Sequence, residues 1–304
     1  MNGTALDDFQ LDLGGASEIG MAVVLGVMMF SVALSLRVSH FSFFRTQPAL
    51  YLSGVAAQII GLPLLTLGLC FAINPHPSVA LGMILIACCP GGNTSNLIAL
   101  FARANTALSV SLTATSSVFA AFVTPISILF WSGLYPPTRA LLTEIDIDVV
   151  DFLIQTLVIL ALPLLLGMLT AAYLPKLAKR IQTPLAIISG IGLLAIIVIA
   201  SIRFAPAFLA LGIGLFAIII LHNGLAFALG NLVARLVRAD EPSRRALTIE
   251  VGIQNSGLGI VILLTQLGGV GGAGAVAGLW GIWHLIAGTS LAAYWRQKDA
   301  RSTD

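Results

Sequence analysis

The run Glu250-Val251-Gly252-Ile253-Gln254-Asn255-Ser256-Gly257-Leu258-Gly259 interrupts an apolar stretch with a carboxylate, three glycines and three amide or hydroxyl side chains. A charged group near the centre of a bilayer costs at least ~2.5 kcal/mol even on lenient scales, so a carboxylate here must face a cavity and have a partner. The only basic residues near it in its own segment, Arg244 and Arg245, belong to the segment's end. That leaves two readings of Glu250 taken alone: a ligand for a metal cation, or a protonated carboxyl hydrogen-bonded in the core. A second run, Pro90-Gly91-Gly92-Asn93-Thr94-Ser95-Asn96-Leu97, has the same character. Shifted by 161 residues, Gly91 falls on Gly252, Asn93 on Gln254, Thr94 on Asn255, Ser95 on Ser256 and Leu97 on Leu258. Non-helical backbone is tolerated at membrane depth only where protein or a water-filled cavity satisfies its freed amides and carbonyls. Two broken helices in inverted halves point to a secondary transporter, with substrate and coupling ion near the midplane. The half-helix N-termini favour anions, and the unwound carbonyls suit a hard monovalent cation such as sodium.

The rest of the chain supplies the membrane. Of 304 residues, 58% are hydrophobic and 9% charged, with a mean hydropathy of +1.01. A soluble domain carries about 25% charged residues, so a cytosolic enzyme and a disordered tail are excluded as default readings, and the lack of a basic stripe excludes nucleic acid as a partner. Leu/Ile/Ala/Gly-rich runs without strand alternation favour helices over an outer-membrane barrel. Cys70, Cys88 and Cys89 all lie in apolar runs and read as small buried hydrophobes. Nine apolar segments of spanning length occupy about 19–37, 49–73, 78–103, 106–131, 152–174, 184–203, 206–236, 244–266 and 271–295. The two polar runs fall in the third and eighth, an odd separation that gives them opposite orientations.

Alternating the connections across nine spans collects thirteen Lys and Arg residues on one side, and only Arg139 and Arg203 on the other. The positive-inside rule then places the N-terminus outside and the C-terminus in the cytoplasm. The first 18 residues hold Asp7, Asp8, Asp12 and Glu18 and no basic residue, unlike a cleaved secretory signal. Glycines such as Gly26 and Gly190 read as helix-packing positions.

At these polar runs the sequence resembles the bile acid:sodium symporter family. The likeness is carried by Cys88 through Asn96, by Ala102-Arg103-Ala104-Asn105-Thr106-Ala107-Leu108-Ser109-Val110-Ser111-Leu112-Thr113, and by Glu250 through Gly257, and it extends to Gln58 and Trp283-His284. The resemblance implies an all-α membrane protein with inverted repeats and two broken helices that cross. It implies a core domain at about 49–131 and 206–295 and a panel domain at about 19–37 and 152–203. Within a transmembrane domain of 19–295, these leave an extracytoplasmic segment at 1–18 and a cytoplasmic tail at 296–304. It also implies nine spans, as in animal members, where bacterial members often have ten, and a plasma-membrane setting, here a bacterial inner membrane.

The family carries two sodium ions. By resemblance, one site uses Ser95, Asn96, Ser109, Thr113 and Glu250. The other uses Gln58, Glu250 and Gln254 with the carbonyls of Val251 and Ile253. Ser109 and Thr113 are spaced i, i+4 on one helix face, although either alone also suits back-bonding to its helix, and Gln58 alone also suits a helix-to-helix hydrogen bond. One carboxylate shared by two cations leaves a positive balance that favours an organic anion as substrate. Its expected contacts are Asn93, Asn255, Ser256 and His284. His284 alone reads equally as a satisfied core histidine, and His222-Asn223 reads as structural. Family members commonly have Thr at the position of Asn93 and Asn after the last histidine, where this chain has Leu285. The change puts a polar small acid such as pantoate in doubt and opens the way to a more apolar anion or a different pose, so that bile acid-like and small monocarboxylate substrates both stay open. The function expected is therefore sodium-coupled symport of organic anions by alternating access. Proton coupling through Glu250 is the alternative, and a membrane-embedded enzyme lacks any HExxH, GxSxG or paired intramembrane Asp to support it.

Overall fold

In hydrocarbon every backbone N–H and C=O must find its partner inside the segment, which forces long apolar runs into α-helix. The computed structural model describes residues 15–36, 43–203 and 205–301, with the side chains of 15–18, 93, 197, 200, 201, 203 and 205–211 excepted. Residues 1–14, and with them Asp7, Asp8 and Asp12, lie outside the described residues, as do Arg37 and the last three residues of the tail.

In chain order the elements are α1 (Gly15–Ser35), α2 (Pro48–Ile73), α3 (Pro77–Ala87), α4 (Asn93–Phe101), α5 (Thr106–Leu134) and α6 (Pro136–Glu144). Then follow α7 (Val149–Tyr173), α8 (Pro175–Arg203), α9 (Ala205–Leu236, kinked at Gly212, where φ is 61), α10 (Glu241–Gly252), α11 (Ser256–Gln266) and α12 (Gly271–Arg301). Among the described residues, six helices are long and apolar enough to cross a membrane, and α3 and α11 are shorter apolar helices. α8 starts at Pro175, nine residues before the apolar run at 184. Lys176, Lys179 and Arg180 are compatible with helix, and such side chains can extend toward the interface. α6, with Pro136 and Pro137 opening it, was not anticipated. α12 carries helix through Arg301, so the tail expected from 296 is mostly a continuation of that helix.

The two polar runs are breaks in helix. Pro90 has no N–H to donate and disfavours helical backbone at Cys89, so α3 ends at Ala87 and α4 restarts at Asn93 after an extended Gly92. Between α10 and α11, Ile253 is extended (φ −116, ψ 108), and the Asn255 side chain caps α11 by accepting from Leu258 N at 3.1 Å. The breaks meet each other: Asn255 N donates to Pro90 O at 2.9 Å, and Gly91 forms an antiparallel bridge with Gln254.

α1 packs against α7 and α8, while α9 packs against α10 and α12, and α3 against α12. Small residues set the closest approaches: a Cβ at Gly82 of α3 would lie 2.8 Å from Ala273 Cα of α12. α5 is apolar outward and polar inward. Phe119, Phe122, Ile126 and Phe130 are exposed, whereas Ser109, Thr113, Ser116 and Thr124 are buried. In water that arrangement would be inverted; it suits lipid.

Candidate functional site

Glu250 ends in the middle of the molecule, fully buried, on the last turn of α10. Four hydrogen-bonding side chains converge on its carboxylate from three other elements. Ser95 Oγ from α4 donates to Oε1 at 2.6 Å, and Ser109 Oγ of α5 donates to the same oxygen. Thr113 Oγ1, one turn further along α5, donates to Oε2 at 2.9 Å. Gln58 Nε2 of α2 lies 3.5 Å from Oε2 and donates to the Glu250 backbone carbonyl at 3.0 Å. Asn96 joins from α4, its Oδ1 lying 2.9 Å from Ser109 Oγ and 3.3 Å from Thr113 Oγ1.

Counting hydrogens shows what this cluster lacks. Each hydroxyl has a single hydrogen, yet Ser109 faces both Glu250 Oε1 and Asn96 Oδ1, Thr113 faces Glu250 Oε2 and Asn96 Oδ1, and Ser95 faces Glu250 Oε1 and Gly92 O at 2.7 Å. Acceptors outnumber protons, and among the described residues no Lys or Arg forms an ion pair with Glu250. A buried carboxylate in an oxygen-rich, donor-poor shell is the environment a hard cation requires. The five residues Ser95, Asn96, Ser109, Thr113 and Glu250 are thus brought together.

The second expected set is also assembled. Gln58 and Gln254 are buried at 4% and 2% exposure, each with its side-chain oxygen unpartnered. Gln254 Nε2 donates to Val251 O at 3.0 Å. Ile253 is fully buried beside them. Gln58 sits within a π-helical turn, Ala57–Gly61, a distortion frequent at functional sites. Pro63 follows it, and its ring would crowd the carbonyl of Ile59 in regular helix. The wider turn, in which Leu62 N reaches back to Ala57 O, relieves that contact and aims Gln58 at the break. Pro63 in an otherwise helical run was the available signal, and sequence reasoning passed over it.

Beside the crossing breaks lies a cavity of about 370 Å³, bounded by α1, α8, α11, α12 and the start of α4. Met28, Met29, Val32, Leu193, Leu194 and Leu285 give it apolar walls, and Asn255, Ser256 and His284 line it. The side chain of Asn93 lies outside the described residues. No Lys, Arg, Asp or Glu lines the cavity among the described residues. His284 Nδ1 donates to Trp280 O, which leaves Nε2, an acceptor in the neutral ring, for anything in the cavity. His222 Nε2 pairs with Thr66 Oγ1 at 2.7 Å between α9 and α2.

Residues 22–209 match the Sodium Bile acid symporter family. A Bacillus subtilis relative, named an uncharacterized sodium-dependent transporter, is 32% identical over 91% of this chain and 83% of its own length. A probable chloroplastic sodium/metabolite cotransporter of Arabidopsis thaliana is 32% identical over 90% of this chain and 66% of its own, so the chain spans just under two thirds of that relative. The human ileal sodium/bile acid cotransporter is 26% identical over 78% of this chain and 67% of its own.

Proposed function

The chain belongs to the Sodium Bile acid symporter family, whose named members are sodium-dependent transporters and not enzymes, and from that premise we propose that it carries an organic anion together with sodium by alternating access. The observation that carries this reading is Glu250, buried with no basic partner among the described residues and amid oxygens that exceed the hydrogens available to them. One sodium is held by Ser95, Asn96, Ser109, Thr113 and Glu250. A second is held by Gln58, Glu250, Gln254 and the carbonyls of Val251 and Ile253, and the unpartnered oxygens of both glutamines support this set.

The substrate occupies the cavity beside the breaks. With no cationic side chain lining it among the described residues, the anionic group is met by the bound sodium charge and the N-termini of α4 and α11, with Asn93, Asn255 and Ser256 at those ends. Its body is apolar, because Leu285 and the methionines face it, and a hydroxyl on it is accepted by His284. The chain crosses the membrane nine times in two inverted halves, a reading supported by the antiparallel meeting of the two breaks. α1, α7 and α8 form a panel and the remaining spans a core, in keeping with the preferential packing of α1 on α7 and α8. The N-terminus is outside and the C-terminus cytoplasmic, as the thirteen-to-two partition of basic residues supports.

Purified protein is expected to melt at higher temperature in sodium than in equal potassium, by the equivalent of about 2.7 kcal/mol at a hundredfold excess over the dissociation constant. Glu250→Ala should abolish the difference. Equal stabilisation of variant and wild type by sodium would sink the reading. Uptake that ignores sodium and follows an imposed pH gradient would replace it with proton coupling. A sodium-dependent binding screen across bile acids, pantoate, 2-oxo acids and other monocarboxylates identifies the anion.

A further inference from the structure

An α-helix leaves its last four carbonyls without partners inside the helix, and at the buried end of α10 these belong to Ile249, Glu250, Val251 and Gly252. Ile249 O accepts Ile253 N at 2.9 Å. Each of the other three accepts from a side-chain amide: Glu250 O from Gln58 at 3.0 Å, Val251 O from Gln254 at 3.0 Å, and Gly252 O from Asn223 Nδ2 at 2.8 Å. The three amides come from α2, from the break itself and from α9, and all three leave their oxygens buried and unpartnered. Two of them already belong to the sodium reading. Asn223 does not, and pairing in the core had seemed a sufficient account of it.

Core pairing alone explains Asn223 poorly. A fully buried amide with an empty acceptor end costs more than an apolar side chain of its size, unless its N–H end is needed where it points. It points at the one peptide group between the two carbonyls expected at sodium. α9 holds it there without slack. Asn223, Phe227 and Gly230 recur at i, i+4 and i+7 on one face, and a Cβ at Gly252 would strike the Phe227 ring, while one at Gly230 would lie 2.9 Å from Thr248 Cα.

We propose that Asn223 is a positioning residue for cation binding: by holding the Gly252 carbonyl it aims the flanking carbonyls of Val251 and Ile253, and through them sets the affinity for sodium. This rests on the sodium-symport reading. The test titrates sodium alone, at constant ionic strength with potassium, against the melting temperature of the full-length protein in detergent. Asn223→Leu keeps the branched shape, with bulkier methyls, and removes the amide. The sodium dissociation constant fitted from the rise of melting temperature with sodium should increase about tenfold, and the melting temperature in potassium should fall as the Gly252 carbonyl loses its partner. Phe227→Leu loosens the same contact but leaves the amide, and should raise the dissociation constant by less than Asn223→Leu does.

A dissociation constant in Asn223→Leu within about twofold of wild type, or an equal rise in Phe227→Leu, overturns the assignment. Should Asn223→Leu fail to fold, Asn223→Ala is held to the same criterion. A wild type that sodium does not stabilise at all overturns the symport reading, and this one with it, which is a different outcome from a variant that matches a sodium-responsive wild type.

Discussion

At Glu250 the chemistry is decided by what the neighbours cannot supply. Three hydroxyls and an amide N–H solvate the carboxylate well enough for it to exist in the core, and the hydroxyls have no hydrogens left for Asn96 Oδ1 and Gly92 O. Gly91 is the residue that keeps this shell open, because a Cβ there would lie 3.1 Å from both Gln58 Nε2 and Glu250 Oε2. Gly91→Ala is expected to fold, to melt slightly below wild type in potassium, and to lose most of the sodium-dependent rise. Paired melts in the two salts check this; an unchanged sodium response would mean that the ion does not bind where the amide and carboxylate meet. Glu250 was legible in the sequence as an acid inside an apolar run, and the polar run it opens weighed for a cation ligand over a protonated core carboxyl. Ser109 and Thr113 entered through the family resemblance, with which their i, i+4 spacing agrees, since either alone suits back-bonding to its helix. Gln58 was readable only through the family resemblance, since its direction depends on the π-turn before Pro63. Asn223 was invisible as more than a core residue, because its partner is a backbone carbonyl 29 residues away.

At the scale of elements, one break has a local cause and the other does not. Pro90 ends α3 by itself. No proline stands between Gly252 and Asn255, and the backbone there is stabilised from outside by Pro90 O and the amides of Gln58 and Asn223, and from within by the amide of Gln254. Sequence could therefore mark the second break only by its glycines and polar residues, and could not place its ends closely. What holds the helices against each other is backbone proximity, because apolar side chains gain little from association in a solvent that is itself apolar. The contact of α3 with α12 tests this. Gly82→Ala needs room already taken by Ala273 Cα and Val276 Cβ, both 2.8 Å from the added methyl, and should destabilise by about 1–3 kcal/mol as overpacking. Gly68→Ala on α2 meets nothing within 4 Å and should be neutral or stabilising by up to about 1 kcal/mol through helix propensity. Thermal melts of the two variants side by side separate the effects; equal destabilisation would remove the packing argument.

For the whole molecule, charge and packing combine. In the sequence Arg245 was only one of thirteen basic residues that oriented the chain. In the structure it is buried at 6% exposure and ties three elements together, bonding Asp299 of α12 at 2.6 and 2.8 Å, donating to Ala102 O at the end of α4 at 3.0 Å, and stacking over Trp295. The clamp joins α4, α10 and α12, as the proposed alternating-access mechanism needs of a core that moves as one body. Relative movement is then left to the contact between the core and α1, α7 and α8. On that contact the Leu193 side chain of α8 occupies the space a Cβ at Gly257 of α11 would take, so shortening one residue and extending the other brings two thiols together. Cys70, Cys88 and Cys89 are free and buried and do not compete for oxidation. The double variant Leu193→Cys, Gly257→Cys should lose sodium-driven uptake of its anion when oxidised and regain it on reduction, with each single variant indifferent to oxidant. If the oxidised double variant, its cross-link verified, transports as fast as the reduced one, α8 and α11 do not move apart during transport, and a core that rocks against α1, α7 and α8 is the wrong mechanism for this protein.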